Sequence, residues 1–367
     1  RDLDYGDRVN VIGGAPAATA TVNYPLYARL GAAALVQATL GPGSLTIAVH
    51  DVAQRKVART QAFAIAATPN DAAWRMALHR AADEVEAWIF GTRGIAATRV
   101  AYVRGGRLYI THSDGAVTES VSPGGGTALS PAWHPGGRYL AFSELGPSGT
   151  QILVRDLSTG STKRLASGGL NITPTFSPRG DLLAYSHGRE AGADIYVLDP
   201  FTSAPPRRVT VGRGTLNMSP SFSPDGRRMA FTTDRPGRPD LYMTDVDGTN
   251  AVELLPFEFG DQSYRSNPDW SPDGRQVAFQ SQLAGRFQVM TLTLRDRNVK
   301  QHTVDGANED PSWAPDGRHL VYTSDISGSK QLWVLDTETG RKRQLTRAAG
   351  ARLAAWSARV GATAERP

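Results

Sequence analysis

The sequence contains no cysteine, which excludes disulfide bonds and thiolate metal sites. This absence suits an oxidising compartment, where free thiols are easily oxidised. The sequence also contains no run of eighteen apolar residues, so no membrane-spanning segment is predicted. The chain of 367 residues begins with arginine instead of methionine, so a mature or trimmed product is expected and a missing signal peptide carries little weight.

Lysine is also scarce: five lysines stand among 40 basic residues, so arginine provides most of the positive charge behind the net +5. Nucleic acids and anionic surfaces need basic residues clustered in a patch. Here the arginines are scattered, and many follow a turn glycine, as in Gly226-Arg227 and Gly274-Arg275. No nucleic-acid partner is predicted.

Common catalytic and metal-binding motifs are missing as well. The seven histidines are spread singly, with no pair at a spacing of four and no H-E-x-x-H sequence. No G-x-S-x-G nucleophile elbow is present. We therefore predict no catalytic residue, no metal site and no cofactor.

What the sequence does contain is a repeat, Pro-x-aromatic-x-Pro-x-Gly, followed by an apolar strand. Five copies begin at Pro131, Pro174, Pro220, Pro268 and Pro311, which are 43, 46, 48 and 43 residues apart. A degraded sixth copy, Ala354-Ala-Trp356-Ser, follows 43 residues later. Each copy continues through alternating strands separated by Asp-Gly or Thr-Gly turns, a pattern typical of antiparallel hairpins. Four short strands in a period near 43 indicate one blade of a β-propeller.

The predicted fold is therefore a small N-terminal α/β domain followed by a six-bladed β-propeller of WD40-like repeats. The sixth copy ends before it supplies outer strands, and suitable strands precede the first copy at Val100–Val103 and Leu108–Ile110. We expect these strands to complete the last blade, so that the two ends of the ring pair. The predicted domains are residues 1–95, 96–360 and a C-terminal tail at 361–367.

The first hundred residues lack the repeat and show a mixed pattern of helices and strands. A short helix is predicted at Tyr24–Leu30, strands at 32–39, 45–51 and 61–66, and a long helix from Asn70, the expected N-cap, to Ile89. Residues 1–23 are polar and rich in glycine and show no leading strand. We expect this domain to lack its first strand and helix.

The residues directly before each repeat proline are the candidate binding site. If each aromatic residue opens the innermost strand of its blade, these residues surround one mouth of the central channel, where polar groups can bind a partner. Capping of turns explains Asn171 and Asn217 equally well, whereas binding is favoured for Arg265, Glu309 and Asp310. The predicted site is Asn171, Asn217, Arg265, Ser266, Asn267, Asn308, Glu309 and Asp310.

The repeat and the segment before it resemble the TolB family, the periplasmic component of the Tol-Pal system of Gram-negative bacteria. The likeness rests on the Trp270-Ser-Pro-Asp-Gly274 core and on the join from His79, Asp83 and Val85 through Gly91 and Gly94 to Thr98-Arg-Val-Ala-Tyr102-Val103. Leu30-Gly-Ala and Ala34-Leu-Val36 add to it, and Trp356-Ser matches the terminal strand, although Ala358 replaces a proline.

The resemblance implies a periplasmic, non-catalytic scaffold that is expected to be monomeric. Its propeller mouth would bind the peptidoglycan-associated lipoprotein Pal and support outer-membrane integrity and constriction of the envelope. TolA and colicin-like peptides are further expected partners. Asn308-Glu309-Asp310-Pro311 resembles the family's acidic rim, and Arg265–Asn267 a neighbouring segment. The segment that contacts TolA has no counterpart before Arg1, and His134-Pro-Gly-Gly137 departs from the repeat.

Two other functions remain open at this point. Similar repeats occur beside peptidase domains, so the chain could be a detached gating propeller of a peptidase. It could also be a propeller that binds a small ligand or a metal ion in its channel.

Overall fold

The structure is a computed structural model that describes residues 2–13, 21–65, 68–123, 125–189, 192–212, 214–255 and 264–360. The predicted tail at 361–367 lies outside the described residues. The chain divides into two compact units, one ending at Ala97 and the other beginning at Thr98.

The first unit combines helices with a three-stranded antiparallel sheet in the order β1-β2-β3. Its described elements are Asp2–Tyr5 (α1), Tyr24–Arg29 (α2), Ala34–Gly41 (β1), Ser44–Asp51 (β2), Lys56–Ala64 (β3) and Ala72–Phe90 (α3). The predicted helix at 24–30, the three strands and the long helix are confirmed with shifted ends. Helix α1 was not predicted, because its four residues carry no periodic pattern of their own.

Helix α3 begins one residue later than predicted. Asp71 is its N-cap, with the carboxylate accepting a hydrogen bond from the Trp74 amide at 2.6 Å. Asn70, the predicted cap, is wrong, because its φ of 68° is left-handed whereas an N-cap is extended. At the other end Gly91 adopts a left-handed φ of 77° and donates its amide to the Ala87 carbonyl.

The core of the first unit lies between α3 and the central strand of the sheet. Alternate residues of β2 point toward the helix, so Leu45, Ile47 and Val49 are buried together against Ala81 and Val85. Burial of these five side chains stabilises the packing of the helix on the sheet.

The second unit is a six-bladed β-propeller, as predicted. Its described strands are, in chain order, Arg99–Arg104 (β4), Arg107–His112 (β5), Thr118–Ser120 (β6), Thr127–Trp133 (β7), Tyr139–Gly146 (β8), Gly149–Asp156 (β9), Thr162–Ala166 (β10), Leu170–Phe176 (β11), Leu183–Arg189 (β12), Gly192–Leu198 (β13), Arg207–Arg208 (β14), Asn217–Phe222 (β15), Arg228–Thr233 (β16), Asp240–Asp245 (β17), Val252–Glu253 (β18), Arg265–Trp270 (β19), Gln276–Leu283 (β20), Arg286–Thr293 (β21), Val299–Gln301 (β22), Asn308–Trp313 (β23), His319–Ser324 (β24), Gln331–Asp336 (β25), Lys342–Gln344 (β26) and Arg352–Trp356 (β27).

Within the described residues these strands form six four-stranded antiparallel sheets. Blade 1 is β27-β4-β5-β6, and blades 2 to 6 follow as β7–β10, β11–β14, β15–β18, β19–β22 and β23–β26. Blade 1 therefore joins the last strand of the chain to strands that precede the first repeat, which confirms the predicted closure. Trp356 Nε1 also donates to Thr98 Oγ1 at 2.7 Å across this junction.

The blades pack on one another through the aromatic residue of each repeat. Trp133 of blade 2, for example, is buried against Leu108 and Ile110 of blade 1 together with Phe142 of its own blade. Its indole Nε1 donates to the Ala355 carbonyl of blade 1 at 3.1 Å. The aromatic ring thus contributes both apolar burial and a directional bond between neighbouring sheets.

The connections define two faces of the propeller. The six inner strands all begin at one end, which we call the upper face, and their aromatic residues approach the other end, the lower face. Because neighbouring strands are antiparallel, the hairpins between the second and third strands also lie on the upper face. Gly149 bridges Gly169 and Ala193 bridges Leu216, which places these hairpins beside the segments that enter the next blade.

Candidate functional site

A cavity of about 300 Å³ lies between the six inner strands. In every blade the residue directly before the repeat proline, or before Ala354 in blade 1, lines this cavity. These six residues are Ser130, Thr173, Ser219, Asn267, Asp310 and Leu353. A second cavity of about 280 Å³ is lined by the repeat aromatics and by residues of the following turns, toward the lower face.

The six cavity-lining residues share an unusual backbone conformation. Their φ angles lie between 44° and 55°, in the left-handed region that residues other than glycine seldom adopt. The pairing register between the first and second strands shifts at the same place in every blade. A bulge of this kind redirects the chain.

The left-handed turn lets the backbone amide reach the preceding blade. The amide of Asn267 donates to Thr232 Oγ1 at 3.1 Å, that of Asp310 to Gln280 Oε1 at 2.8 Å, and that of Leu353 to Thr323 Oγ1 at 3.2 Å. These bonds between blades stabilise a conformation that is otherwise costly.

Side chains at the same positions form a hydrogen-bonded arc around the cavity. The backbone amide of Ser219 donates to Thr173 Oγ1 at 3.2 Å, and the Ser219 hydroxyl donates to Asn267 Oδ1 at 2.9 Å. Asn267 Nδ2 then donates to Asp310 Oδ1 at 2.6 Å. The arc crosses blades 3 to 6 and ends on a carboxylate.

Two carboxyl groups in the cavity have raised pKa values. Burial raises the pKa of Asp310 to about 6 and the nearby charge of Glu309 adds to the rise, while Asn267, Lys330 and Arg352 oppose it. Burial likewise raises the pKa of Asp269 to about 6. The backbone amide of Trp313, which donates to Asp269 Oδ2 at 2.7 Å, opposes this rise. Both groups are therefore close to half-protonation at mildly acidic pH.

The structure buries three of the predicted asparagines. Asn171, Asn217 and Asn308 are at most 1% exposed. Each points at the preceding blade, where its Nδ2 donates to the Thr150 carbonyl at 2.8 Å, to Asp194 Oδ1 at 3.1 Å and to Gln288 Oε1 at 2.9 Å, respectively. The expectation that these three side chains face the channel mouth is corrected: they hold neighbouring blades together.

Arg265 occupies the equivalent position in blade 5 and is buried too. Its Nη1 contacts both carboxylate oxygens of Asp240 at 3.2 Å and donates to the Leu255 carbonyl at 3.2 Å. Ser266 is also buried and accepts a hydrogen bond from Gln280 Nε2 at 3.0 Å. Neither side chain faces the mouth, because both are taken up by bonds inside the propeller.

The accessible members of the predicted set are Asn267, Glu309 and Asp310. Asn267 and Asp310 line the cavity. The Glu309 side chain is 23% exposed and forms an ion pair with Lys330, itself 41% exposed, at 2.5 Å. The structure thus brings these three residues together on blades 5 and 6, and Lys330 joins them from the hairpin between β24 and β25.

Two groups of mouth residues were missed from the sequence. One is the set of hydroxyls on Ser130, Thr173 and Ser219 that line the cavity. The other is a set of partly exposed apolar residues two positions before the prolines, Leu129, Ile172 and Met218. Their common signal was their fixed distance from the proline, which aligns the six blades residue by residue.

Comparison with known proteins identifies the family. The model of the TolB beta propeller domain, a PD40 family, matches residues 87–360. The chain belongs to the TolB beta-propeller family. This match confirms the resemblance inferred from the repeats and from the join that precedes them.

Individual TolB relatives match shorter regions of the chain. The Tol-Pal system protein TolB of Chromobacterium violaceum is 30% identical over 167 residues, covering 43% of this chain and 38% of that protein. The Tol-Pal system protein TolB of Xylella fastidiosa is 32% identical over 111 residues, covering 28% of this chain and 25% of that protein. In these matches the chain spans well under two thirds of its relatives.

A solved TolB structure matches the fold over nearly the whole chain. The crystal structure of TolB from Acinetobacter baumannii superposes with a TM-score of 0.84 and 24% identity, covering 97% of this chain and 92% of that one. At this identity the likeness concerns the fold alone. Among the described residues, no helix has both the length and the apolar character needed to cross a membrane.

Proposed function

We propose that this protein is a non-catalytic periplasmic component of a Tol-Pal system, which binds a Pal-like peptidoglycan-associated lipoprotein at the channel mouth on the upper face. Membership of the TolB propeller family supports the system, since the curated relatives are named Tol-Pal system proteins. In this role the protein supports outer-membrane integrity and envelope constriction. TolA and colicin-like peptides are proposed as further partners.

The proposal rests on a set of accessible polar side chains at the channel mouth. Asn267, Glu309, Asp310 and Lys330 combine donors, acceptors and both signs of charge beside a cavity. Polar groups of this kind at the edge of a concavity orient a protein partner and select it. Asp269 and Asp310 also accept hydrogen bonds from the neighbouring blade and so link the ring behind this polar group.

Isothermal titration calorimetry with the soluble domain of the Pal-like lipoprotein from the same organism tests this proposal. We expect Glu309→Lys to weaken binding by about 1–3 kcal/mol, as loss of an interface anchor commonly does. Glu119→Lys is the matched control, because Glu119 is exposed on the outermost strand of blade 1 and undergoes the same charge reversal. Folded wild-type protein that gives no heat at high micromolar concentration would contradict the proposal.

A further inference from the structure

The inner rim of the upper face is divided into two chemically different halves. The residues two positions before the repeat proline are Leu129, Ile172 and Met218 in blades 2, 3 and 4. In blades 5, 6 and 1 the same position holds Ser266, Glu309 and Arg352. Ser266 is buried, so Glu309 and Arg352 are the polar side chains that this half presents. Each half consists of three adjacent blades, so apolar and polar residues stand opposite each other across the cavity.

The apolar half is strongest on blades 3 and 4. Ile172 and Met218 are partly exposed, and the residues two positions earlier, Leu170 and Leu216, are 37% and 40% exposed. A single exposed leucine is ordinary on a protein surface. Four large apolar residues with exposed surface lie here at equivalent positions of two neighbouring blades, beside residues that line the cavity, and exposed apolar groups concentrated in this way mark interaction sites.

The opposite half offers a cation. Glu309 is already bound by Lys330 at 2.5 Å. Arg352 is exposed on blade 1, and no carboxylate of the described residues forms an ion pair with it. It lies beside the cavity, because it directly precedes Leu353, which lines the cavity. A guanidinium in this setting favours a carboxylate, which it can bind with two parallel hydrogen bonds.

We propose that the mouth recognises a protein segment by two contacts on opposite sides of the cavity. An aliphatic or aromatic side chain of the segment packs on Leu170, Ile172, Leu216 and Met218, and an Asp or Glu carboxylate of the same segment pairs with Arg352. The inference rests on the proposed function, because it describes the chemistry of the partner at that same site.

The observations favour a protein segment over other occupants. A polyanion binds through several cations on one surface. Here Lys330 is paired with Glu309, and among the six described residues two positions before the repeat proline or Ala354, Arg352 is the one cation. A small apolar ligand needs an enclosed pocket, whereas Ile172 and Met218 keep part of their surface exposed at the edge of the cavity. An amphipathic segment satisfies both halves at once.

The first test titrates the soluble domain of the Pal-like lipoprotein into variants of the full chain. We expect the double variant Ile172→Ser, Met218→Ser to weaken binding at least about tenfold. Arg352→Glu should also weaken binding about tenfold and reduce its dependence on salt. The controls are Val252→Ser, an exposed apolar residue on the outermost strand of blade 4, and Arg227→Glu on the lower face, both with unchanged affinity.

The outcomes separate this inference from the proposed function. Wild-type protein that binds the lipoprotein while both mouth variants bind equally well would overturn the inference and leave the proposed function standing. If wild-type protein does not bind the lipoprotein, a displayed library of random peptides, selected on wild-type protein, decides the inference alone. Enriched peptides should contain an aromatic or aliphatic residue with Asp or Glu and should lose binding to both variants. Enrichment of basic peptides, of peptides indifferent to the variants, or of none overturns it.

Discussion

Two neighbouring positions of the inner strands have opposite environments. The third residue before the repeat proline is buried against the preceding blade, as in Asn217 and Arg265. The first residue before the proline lines the cavity, as in Asn267 and Asp310. In blades 3 to 6 both positions carry polar side chains, so polarity alone does not separate a residue that holds blades together from one that a partner can reach.

The difference comes from the backbone. Side chains of a strand alternate between its two faces, and the third position faces the blade before it. The left-handed residue then turns the chain, so the first position faces the cavity instead. The buried position therefore contributes mainly to stability, and the cavity position contributes mainly to the chemistry of the mouth.

The largest effect expected from this comparison is at Arg265. Its guanidinium and the Asp240 carboxylate are 4% and 1% exposed, so Arg265→Ala leaves a buried charge without its partner. We expect the free energy of unfolding to fall by about 3–5 kcal/mol in urea denaturation. Arg275→Ala, where the side chain is 82% exposed, should change it by less than about 0.5 kcal/mol. Similar losses of unfolding free energy in Arg265→Ala and Arg275→Ala would show that the buried position is no more important for stability than an exposed one.

The next effect concerns pH and the cavity position. The pKa of Asp310 rises from its ordinary 3.8 to about 6 in the folded protein, so folding favours the protonated form. The stability that this shift provides is complete below pH 3.8 and is lost as the pH rises through about 6. Asp310→Asn, which cannot ionise, should therefore gain up to about 3 kcal/mol relative to wild type between pH 4 and pH 7.

Denaturation curves of both proteins at intervals across that range measure the difference directly. Wild type and Asp310→Asn have to be measured side by side, because other carboxyls change the stability with pH in the opposite direction. Asp316 is one of them: despite its burial, the hydrogen bond to His319 helps to lower its pKa to about 2. A stability difference that stays constant with pH would show that Asp310 keeps an ordinary pKa.

The sequence was sufficient for the architecture because the repeat is strong. Five aromatic copies at near-constant spacing define the blades, and the incomplete copy at Trp356 together with the strand at Val100 predicts the closure. The long helix could be placed from its apolar period, but its start was wrong by one residue. Asn70 and Asp71 are both suitable caps, and only the backbone conformation decides between them.

The site was harder to predict because its geometry depends on contacts between blades. A residue before proline is normally extended, whereas Asn267 and Asp310 are left-handed and held by amide bonds to the preceding blade. The local sequence contains no sign of those bonds. The residues before each proline were therefore treated as one rim, and Asn171, buried at 0% exposure, was grouped with residues that line the cavity.

The smallest effect gives the sharpest test, because the same substitution can be made at both positions. Asn217→Ala removes donors to Asp194 and to the Ala193 carbonyl and an acceptor for Thr233, all in a buried setting. We expect a loss of about 1–3 kcal/mol in the free energy of unfolding. Asn267→Ala removes the hydrogen bonds to Ser219 and Asp310. Because Asn267 lines the cavity, water can enter and replace those hydrogen bonds. Its loss should stay below about 1 kcal/mol, while the pKa of Asp310, deprived of the Asn267 donor, rises further. Carboxyl chemical shifts across a pH titration measure that rise, and equal destabilisation by the two variants would mean that the cavity position is as structural as the buried one.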